Sequence, residues 1–332
     1  MQQEQFYTNL QTPSHRVDVV IDSDTFNEVD DQFAISYLLA SSDKLNLRAI
    51  YAAPFLNDHS VSAGDGMEKS YQEILTLLEL AEKTEYIPFT YKGSDRFLPD
   101  ERTPVESAAA SDLVRRAQEY SPENPLYVVA IGAITNIASA LILQPQIREN
   151  IVVIWLGGHG RDYHNIGEFN MRQDVAAARV VFRSGAPLVQ LPCAGVVSAL
   201  SVSMIELEHY LAGKNPLCDF LLHRVKARVG SNDAPVSRIL WDVAAVSWLL
   251  NTNDRFMLSR VDSLAIPEYN LQYSYDSAHK MQYVYYIKRD NILKDLFEKL
   301  ATMQLGQAAP QTVVQIAPCR FPEKARSEIS ET

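Results

Sequence analysis

Short, wholly apolar, β-rich runs recur along the chain with helical patterns between them. This alternation constrains the fold more than any other feature. VDVVID (17–22), NLRAIYAA (46–53), YIPFTY (86–91), LYVVAI (126–131), IVVIWL (151–156) and PLVQL (187–191) read as strands, and segments near 31–42, 67–83, 107–120, 134–143 and 174–183 read as helices. Strands that are apolar on both faces and spaced by helices belong to a mainly parallel sheet covered on both sides. The expectation is a single-domain α/β fold, a Rossmann-like open sheet flanked by helices. Beyond residue 200 the pattern turns helical (201–211, 216–228, 238–250). Tyr- and Gln-rich runs at 269–275 and 281–288 then predict a late strand pair ahead of a helix at 290–303. No repeat or low-complexity linker divides 1–305. Residues 306–332, with Gly, Pro, Gln and scattered charge, read as a C-terminal extension of unassigned role.

Composition narrows the function classes. With 47% hydrophobic and 21% charged residues over 332 positions there is enough apolar sequence for a full core, which excludes disorder and a disulfide-stapled mini-protein. The formal charge of −11, with no local basic patch, argues against a nucleic-acid partner. Cys193, Cys218 and Cys319 form no CxxC pair, which fits small buried hydrophobes in a reducing cytoplasm rather than a zinc-thiolate site. The polar N-terminus lacks the apolar core of a signal peptide. The longest mostly apolar stretch, 126–143, is interrupted by Gly132, Thr135, Asn136 and Ser139, so it reads as strand, turn and helix rather than a membrane span.

The chemistry concentrates after the first strand. Asp22-Ser23-Asp24-Thr25-Phe26-Asn27-Glu28-Val29-Asp30-Asp31 places five carboxylates within ten residues, between VDVVI and the apolar helix QFAISYLLA. In an open α/β sheet, ligands bind beyond the carboxyl ends of the strands, where this loop must lie. Carboxylates packed this closely repel unless a cation neutralises them, and all-oxygen ligands favour calcium or magnesium. Helix capping by Asp30 or Asn27 explains one residue and leaves Asp22 and Asp24 without a role. A strand ending in DxD also resembles the opening of haloacid-dehalogenase-type phosphatases, although Phe26 stands where that pattern usually has Thr or Val.

DSDTFNEVDDQFAI is similar to the N-terminal signature of the inosine-uridine-type nucleoside hydrolases, DxDxGxDDAxAI, with a loop two residues longer and no Pro-Gly. Three further segments match in order. LYVVAIGAITNIASAL (126–141) resembles the family's central strand and Gly-x-x-Thr-Asn turn. WLGGHGRDYHNIGEFNMRQDVAAARVVF (155–182) resembles its Met-Gly-Gly segment, Glu-Phe-Asn and following helix. ILWDVAAVSWLL (239–250) resembles its late His-Asp or Trp-Asp helix start. The resemblance spans roughly 17–300 and implies a small-molecule nucleoside as partner and a homodimer or homotetramer.

Carried onto this chain, the resemblance implies a calcium ion held by Asp24, Asp31, the carbonyl of Ile131 and Asp242, with Asp24 also taking the proton of the attacking water. Ribose hydroxyls would be held by Asp30, Glu168 and Asn170, with Asn57 contributing after the second strand, where Leu56 replaces the usual preceding glycine. Cleaving an N-glycosidic bond passes through an oxocarbenium-like state, which carboxylates and amides around the ribose stabilise. Trp241 stands where pyrimidine-accepting members carry a proton-donating His. An indole stacked on a purine is worth about 1–3 kcal/mol, so a purine preference is expected. His159 and His164, in the loop before Glu168, are candidate general acids. Phe169 and Trp155 read as packing, and Tyr273, Tyr275, Tyr283, Tyr285 and Tyr286 as sheet packing rather than a base-binding wall. The leading expectation is a calcium-dependent ribonucleoside hydrolase. The alternatives are a non-catalytic calcium- and ribose-binding sensor and the phosphatase.

Overall fold

In the computed structural model, which describes residues 1–229, 236–303 and 305, the strands are β1 (Val17–Ser23), β2 (Leu45–Ala52), β3 (Thr90–Lys92), β4 (Leu126–Ala130), β5 (Ile151–Leu156), β6 (Leu188–Leu191), β7 (Ser201–Ser203), β8 (Ser237–Ile239), β9 (Met257–Pro267) and β10 (Tyr273–Ile287). Helices are α1 (Gln3–Asn9), α2 (Asp30–Leu39), α3 (Ala63–Leu80), α4 (Ala108–Ala117), α5 (Thr135–Leu143), α6 (Phe169–Gln173), α7 (Val175–Arg183), α8 (Met204–Leu211), α9 (Pro216–Val229), α10 (Val243–Leu249) and α11 (Arg289–Thr302). The main sheet runs β3-β2-β1-β4-β5-β6-β10-β9, and β7 pairs with β8 in a separate ribbon. Every neighbour pair in the main sheet is parallel except β10 with β9. The expected mainly parallel open sheet therefore forms, and its first six strands follow the doubly wound order 3-2-1-4-5-6.

The sheet divides two apolar cores. One packs α2, α3, α8, α9, α10 and α11 against it, and the other packs α4, α5 and α7. β4 and β5 are buried at every position, as their unbroken apolar runs require. All ten residues of α2 are buried, so its charge is confined to its first two positions, Asp30 and Asp31, where a helix N-terminus favours carboxylates. That confinement delivers two carboxylates to the end of the sheet.

Several elements differ from their sequence expectation. The run 86–91 is mostly a 3₁₀ turn, Thr84–Phe89, because Pro88 fixes φ and has no N–H for a ladder. Only Thr90–Lys92 remains to pair with β2. The Tyr-rich runs 269–275 and 281–288 are not a strand pair. Their residues 273–275 and 281–287 lie in one long strand, β10, whose register breaks between Asp276 and Lys280, and its partner β9 lies earlier, at Met257–Pro267. Residues 201–203 and 237–239 are the β7–β8 ribbon, so the helices expected at 201–211 and 238–250 begin at Met204 and Val243. Ser203 and Glu206 close a capping box at the first of these starts. The extension 306–332, with Cys319, lies outside the described residues. Among the described residues no helix is long and apolar enough to cross a membrane.

Candidate active site

The strand order reverses between β1 and β4, and their carboxyl ends open the crevice where doubly wound sheets bind ligands. β1 ends in Asp22 and Ser23, and the chain leaves the sheet at Asp24. Ile131 N–H donates to the Asp22 carbonyl (2.9 Å), extending the β1–β4 ladder to the crevice floor. A cavity of about 640 Å³ lies there, within the usual size range for small-ligand sites. Asp24, Asp30, Asp31, Asn57, Ile131, His159, Glu168, Asn170, Trp241 and Asp242 all line it. These residues come from loops after β1, β2, β4, β5 and β8, so the fold collects what the sequence scatters.

The floor is acidic and dry. Carboxylate oxygens of Asp30, Asp31 and Asp242 lie within 4.8 Å of one another. Ser23 Oγ donates to Asp31 Oδ1 (2.7 Å), and the Asp242 amide donates to Asp30 Oδ2 (3.3 Å). Asp24 is different. Both of its carboxylate oxygens are buried without a hydrogen-bond partner. Burial raises Asp24 and Asp242 well above the usual carboxylate range, and neighbouring carboxylates push them further. Burial likewise lifts Asp31 to about 7, with Asp30 adding to the rise, and Asp30 to about 6, with Glu28 adding. A buried, unpartnered carboxylate beside three others is costly unless protonated or matched by a cation. The donor set is all oxygen, so the residues present fit a hard divalent ion. Gly132 follows Ile131 because a Cβ there would lie 2.9 Å from Asp24 Oδ1.

The predicted ribose ligands are held by the backbone around them. Asn170 Nδ2 donates to the carbonyls of Ile131 (2.9 Å) and Leu156 (3.0 Å), which leaves its Oδ1 as the acceptor for a ligand. Glu168 caps α6: Oε1 accepts from Asn170 N–H (2.6 Å), and Oε2 accepts from Gly158 (2.8 Å) and Met171 N–H (3.1 Å). Burial raises Glu168 to about 7 against the pull of those amides. Gly158 adopts φ +75° to present its amide, a left-handed conformation that favours glycine. Asn57 Nδ2 donates to Asn27 Oδ1 (2.6 Å), tying the loop after β2 to the acidic loop.

The two histidines separate. His159 Nδ1 accepts from the Ala194 amide (3.2 Å), so the neutral ring carries its proton on Nε2. Burial lowers its pKa, and Arg172 lowers it further. His164 is exposed and does not line the cavity. Trp241 is half-buried and presents one side to the cavity. Trp155 is core: its indole N–H donates to the Gly132 carbonyl (3.1 Å) and its ring meets Phe182 edge-on. Tyr273 and Tyr283 brace the loop after β5 through His159 O and Arg161 N, and none of the five tyrosines lines the cavity.

Sequence reasoning missed a brace and a rim. Asn136 Nδ2 donates to Asp22 Oδ1 (2.7 Å), while its Oδ1 accepts from Ser94 N–H (2.8 Å) and Oγ–H (2.9 Å). Asp22 is thereby held behind the cavity, and burial raises it to about 7. On the rim, Glu28 accepts from Arg228 (2.9 Å) and Arg238, which anchors the lengthened acidic loop to α9 and β8. Arg172 lies one turn after Glu168. Its position two residues after Glu-Phe-Asn is the only mark it leaves in the sequence.

A family profile described as "Inosine-uridine preferring nucleoside hydrolase" matches residues 19–281. The chain belongs to that family. Among nucleoside hydrolases in its neighbourhood, the pyrimidine-specific ribonucleoside hydrolase RihA of Citrobacter koseri is 30% identical over 164 residues, 46% of this chain and 51% of that protein. The chain thus spans about half the length of several curated relatives it matches. A plant nucleoside hydrolase superposes with a TM-score of 0.67 at 16% identity, covering 86% of this chain and 99% of its own. The purine-preferring ribonucleoside hydrolase of Gardnerella vaginalis gives 0.65 at 20% identity, covering 86% and 98%. These superpositions share the fold, including the open sheet.

Proposed function

We propose that the protein is a calcium-dependent ribonucleoside hydrolase that releases free base and ribose, with a preference for purines. The observation that carries the reading is the pair of buried, unpartnered Asp24 oxygens beside Asp30, Asp31 and Asp242. Asp24, Asp31, Asp242 and the Ile131 carbonyl would hold the ion, which supplies a Lewis acid that orients and acidifies a water. Asp24 accepts a proton from the attacking water. Asp30 and the Oδ1 of Asn170 take ribose hydroxyls, and Glu168, fixed by three amides, holds α6 against the sugar. The buried carboxylates stabilise the positive charge that spreads over the ribose as the bond breaks.

His159 acts as a hydrogen-bond donor rather than a cationic acid, because protonating Nδ1 would break its bond from Ala194. The base therefore takes its proton from solvent, and stacking of the purine on Trp241, which lines the cavity, eases that protonation. The phosphatase alternative needs the first Asp of DxD as its nucleophile, and the hold of Asn136 on Asp22 behind the cavity speaks against it. The test is reducing-sugar release from inosine, adenosine, guanosine, uridine and cytidine with calcium present. Release from the purines supports the reading, and release confined to uridine and cytidine overturns the preference. Calcium binding without any release would leave the sensor, which the neutral His159 favours.

A further inference from the structure

The cavity is polarised. Its floor is carboxylate, whereas its rim carries cations in excess of their partners. Glu28 is shared between Arg228 and Arg238, two guanidinium groups on one carboxylate. Arg238 lines the cavity and engages Glu28 through Nη2 alone. Arg172 also lines the cavity, is exposed, and forms no ion pair among the described residues. Glu168, which lines the same cavity, already accepts three backbone amides. His159 adds an Nε2–H donor on the same wall, because its Nδ1 is engaged by Ala194. A rim with two positive charges more than it neutralises is conspicuous on a chain of formal charge −11.

A ribose set with its cis-diol on the acidic floor turns C1′ and C5′ away from that floor. A phosphate on C5′ would be repelled by the floor and drawn to the rim. Arginine guanidinium groups bind phosphate oxygens in paired, charge-assisted hydrogen bonds. We infer that the substrate is a ribonucleoside 5′-monophosphate, its phosphate held by Arg172 and Arg238 and its ribose seated on the acidic floor. The inference rests on the hydrolase reading of the same site. Water adds across the bond: C1′–N breaks, C1′–O forms, and the two protons of water end on the base nitrogen and the new C1′ hydroxyl. The products are free base and ribose 5-phosphate.

The test compares inosine with inosine 5′-monophosphate under saturating calcium, for the wild type, Arg172→Ala and Arg172→Lys. The monophosphate is expected to have at least a tenfold higher kcat/KM than the nucleoside. Arg172→Ala should reduce that ratio at least tenfold, Arg172→Lys should restore part of it, and added salt should compress it by screening the exposed arginine. Equal or better use of the nucleoside, or a ratio indifferent to Arg172, overturns the inference. A third arm supplies inosine with inorganic phosphate. Formation of ribose 1-phosphate there would mean that the rim serves a free phosphate and would also overturn it. If neither compound releases base, the hydrolase reading fails separately. Calorimetric binding then decides the inference: tighter binding of the monophosphate, lost in Arg172→Ala, supports it, and equal binding overturns it.

Discussion

Without a cation, the acidic floor makes the protein less stable as pH rises, and the effect can be isolated at Asp22. Burial lifts its carboxyl from 3.8 to about 7, with the Asn136 amide opposing the rise. A group whose folded pKa is raised binds more protons folded than unfolded between those two values, so stability falls across that window and the full penalty is present above it. The change corresponds to about 4 kcal/mol between the two protonation states at 1.36 kcal/mol per pH unit. Asp31 and Glu168 also rise to about 7 and Asp30 to about 6. All are raised in the same direction, so ionising the dry floor without a cation weakens the fold further. The metal-free native state must therefore hold protons at pH 7.

The perturbation is Asp22→Asn, which keeps the acceptor for Asn136. The assay is calorimetric unfolding in chelator at pH 5 and pH 8. Only the part of that window above pH 5 is crossed in this assay, about 3 kcal/mol, which at about 0.7 kcal/mol/K for a chain of 332 residues is about 4 °C. The variant should gain up to about 4 °C on the wild type at pH 8 relative to its position at pH 5. Taking this difference cancels His59 and His159, whose lowered pKa values tilt the curve the other way in both proteins. A wild type that loses nothing relative to Asp22→Asn between pH 5 and pH 8 would refute the reasoning.

Further outcomes follow from the same geometry. Gly132→Ala pushes a Cβ against Asp24 Oδ1 and should lower kcat by about 100-fold or more while circular dichroism stays native. Trp241→Ala should cut kcat/KM for purine substrates by about 5–150-fold, the rate equivalent of about 1–3 kcal/mol of stacking, and pyrimidine substrates by less. Glu28→Gln releases Arg228 and Arg238. Initial-rate kinetics should show a raised KM for the nucleoside, as the acidic loop loses its anchor, and unfolding a melting temperature within about 3 °C of wild type, because partly exposed pairs are worth about 0.2–1 kcal/mol each.

The parts of the site legible in the sequence share a physical cause. β1, β4 and β5 are buried on both faces, so their runs are apolar without interruption and locate the sheet. Charge at the end of such a run either opens into the crevice, as at Asp24, or is buried behind it with a partner, as at Asp22. The Asp30–Asp31 pair is legible because the rest of α2 is buried and largely apolar. What was not legible depends on distant pairing. β9 carries Arg260, Asp262 and Ser263 and forms only as the antiparallel partner of β10. YIPFTY has strand composition, but a single proline shifts most of it to a 3₁₀ turn. Asn136 as the partner of Asp22 spans 114 residues. His164 sits in the same loop as His159, and only the fold shows that one faces the cavity and the other solvent.

The most direct test of the central claim uses metal-stripped protein and a purine substrate, nucleoside or 5′-monophosphate, whichever turns over faster. Base release is followed before and after calcium is restored, for the wild type and Asp24→Asn side by side. The account predicts no release when stripped, recovery with calcium in the wild type, and a loss of at least about 1,000-fold in Asp24→Asn, the scale at which removing key transition-state groups acts. Undiminished release from the stripped protein, or wild-type turnover by Asp24→Asn, would contradict it.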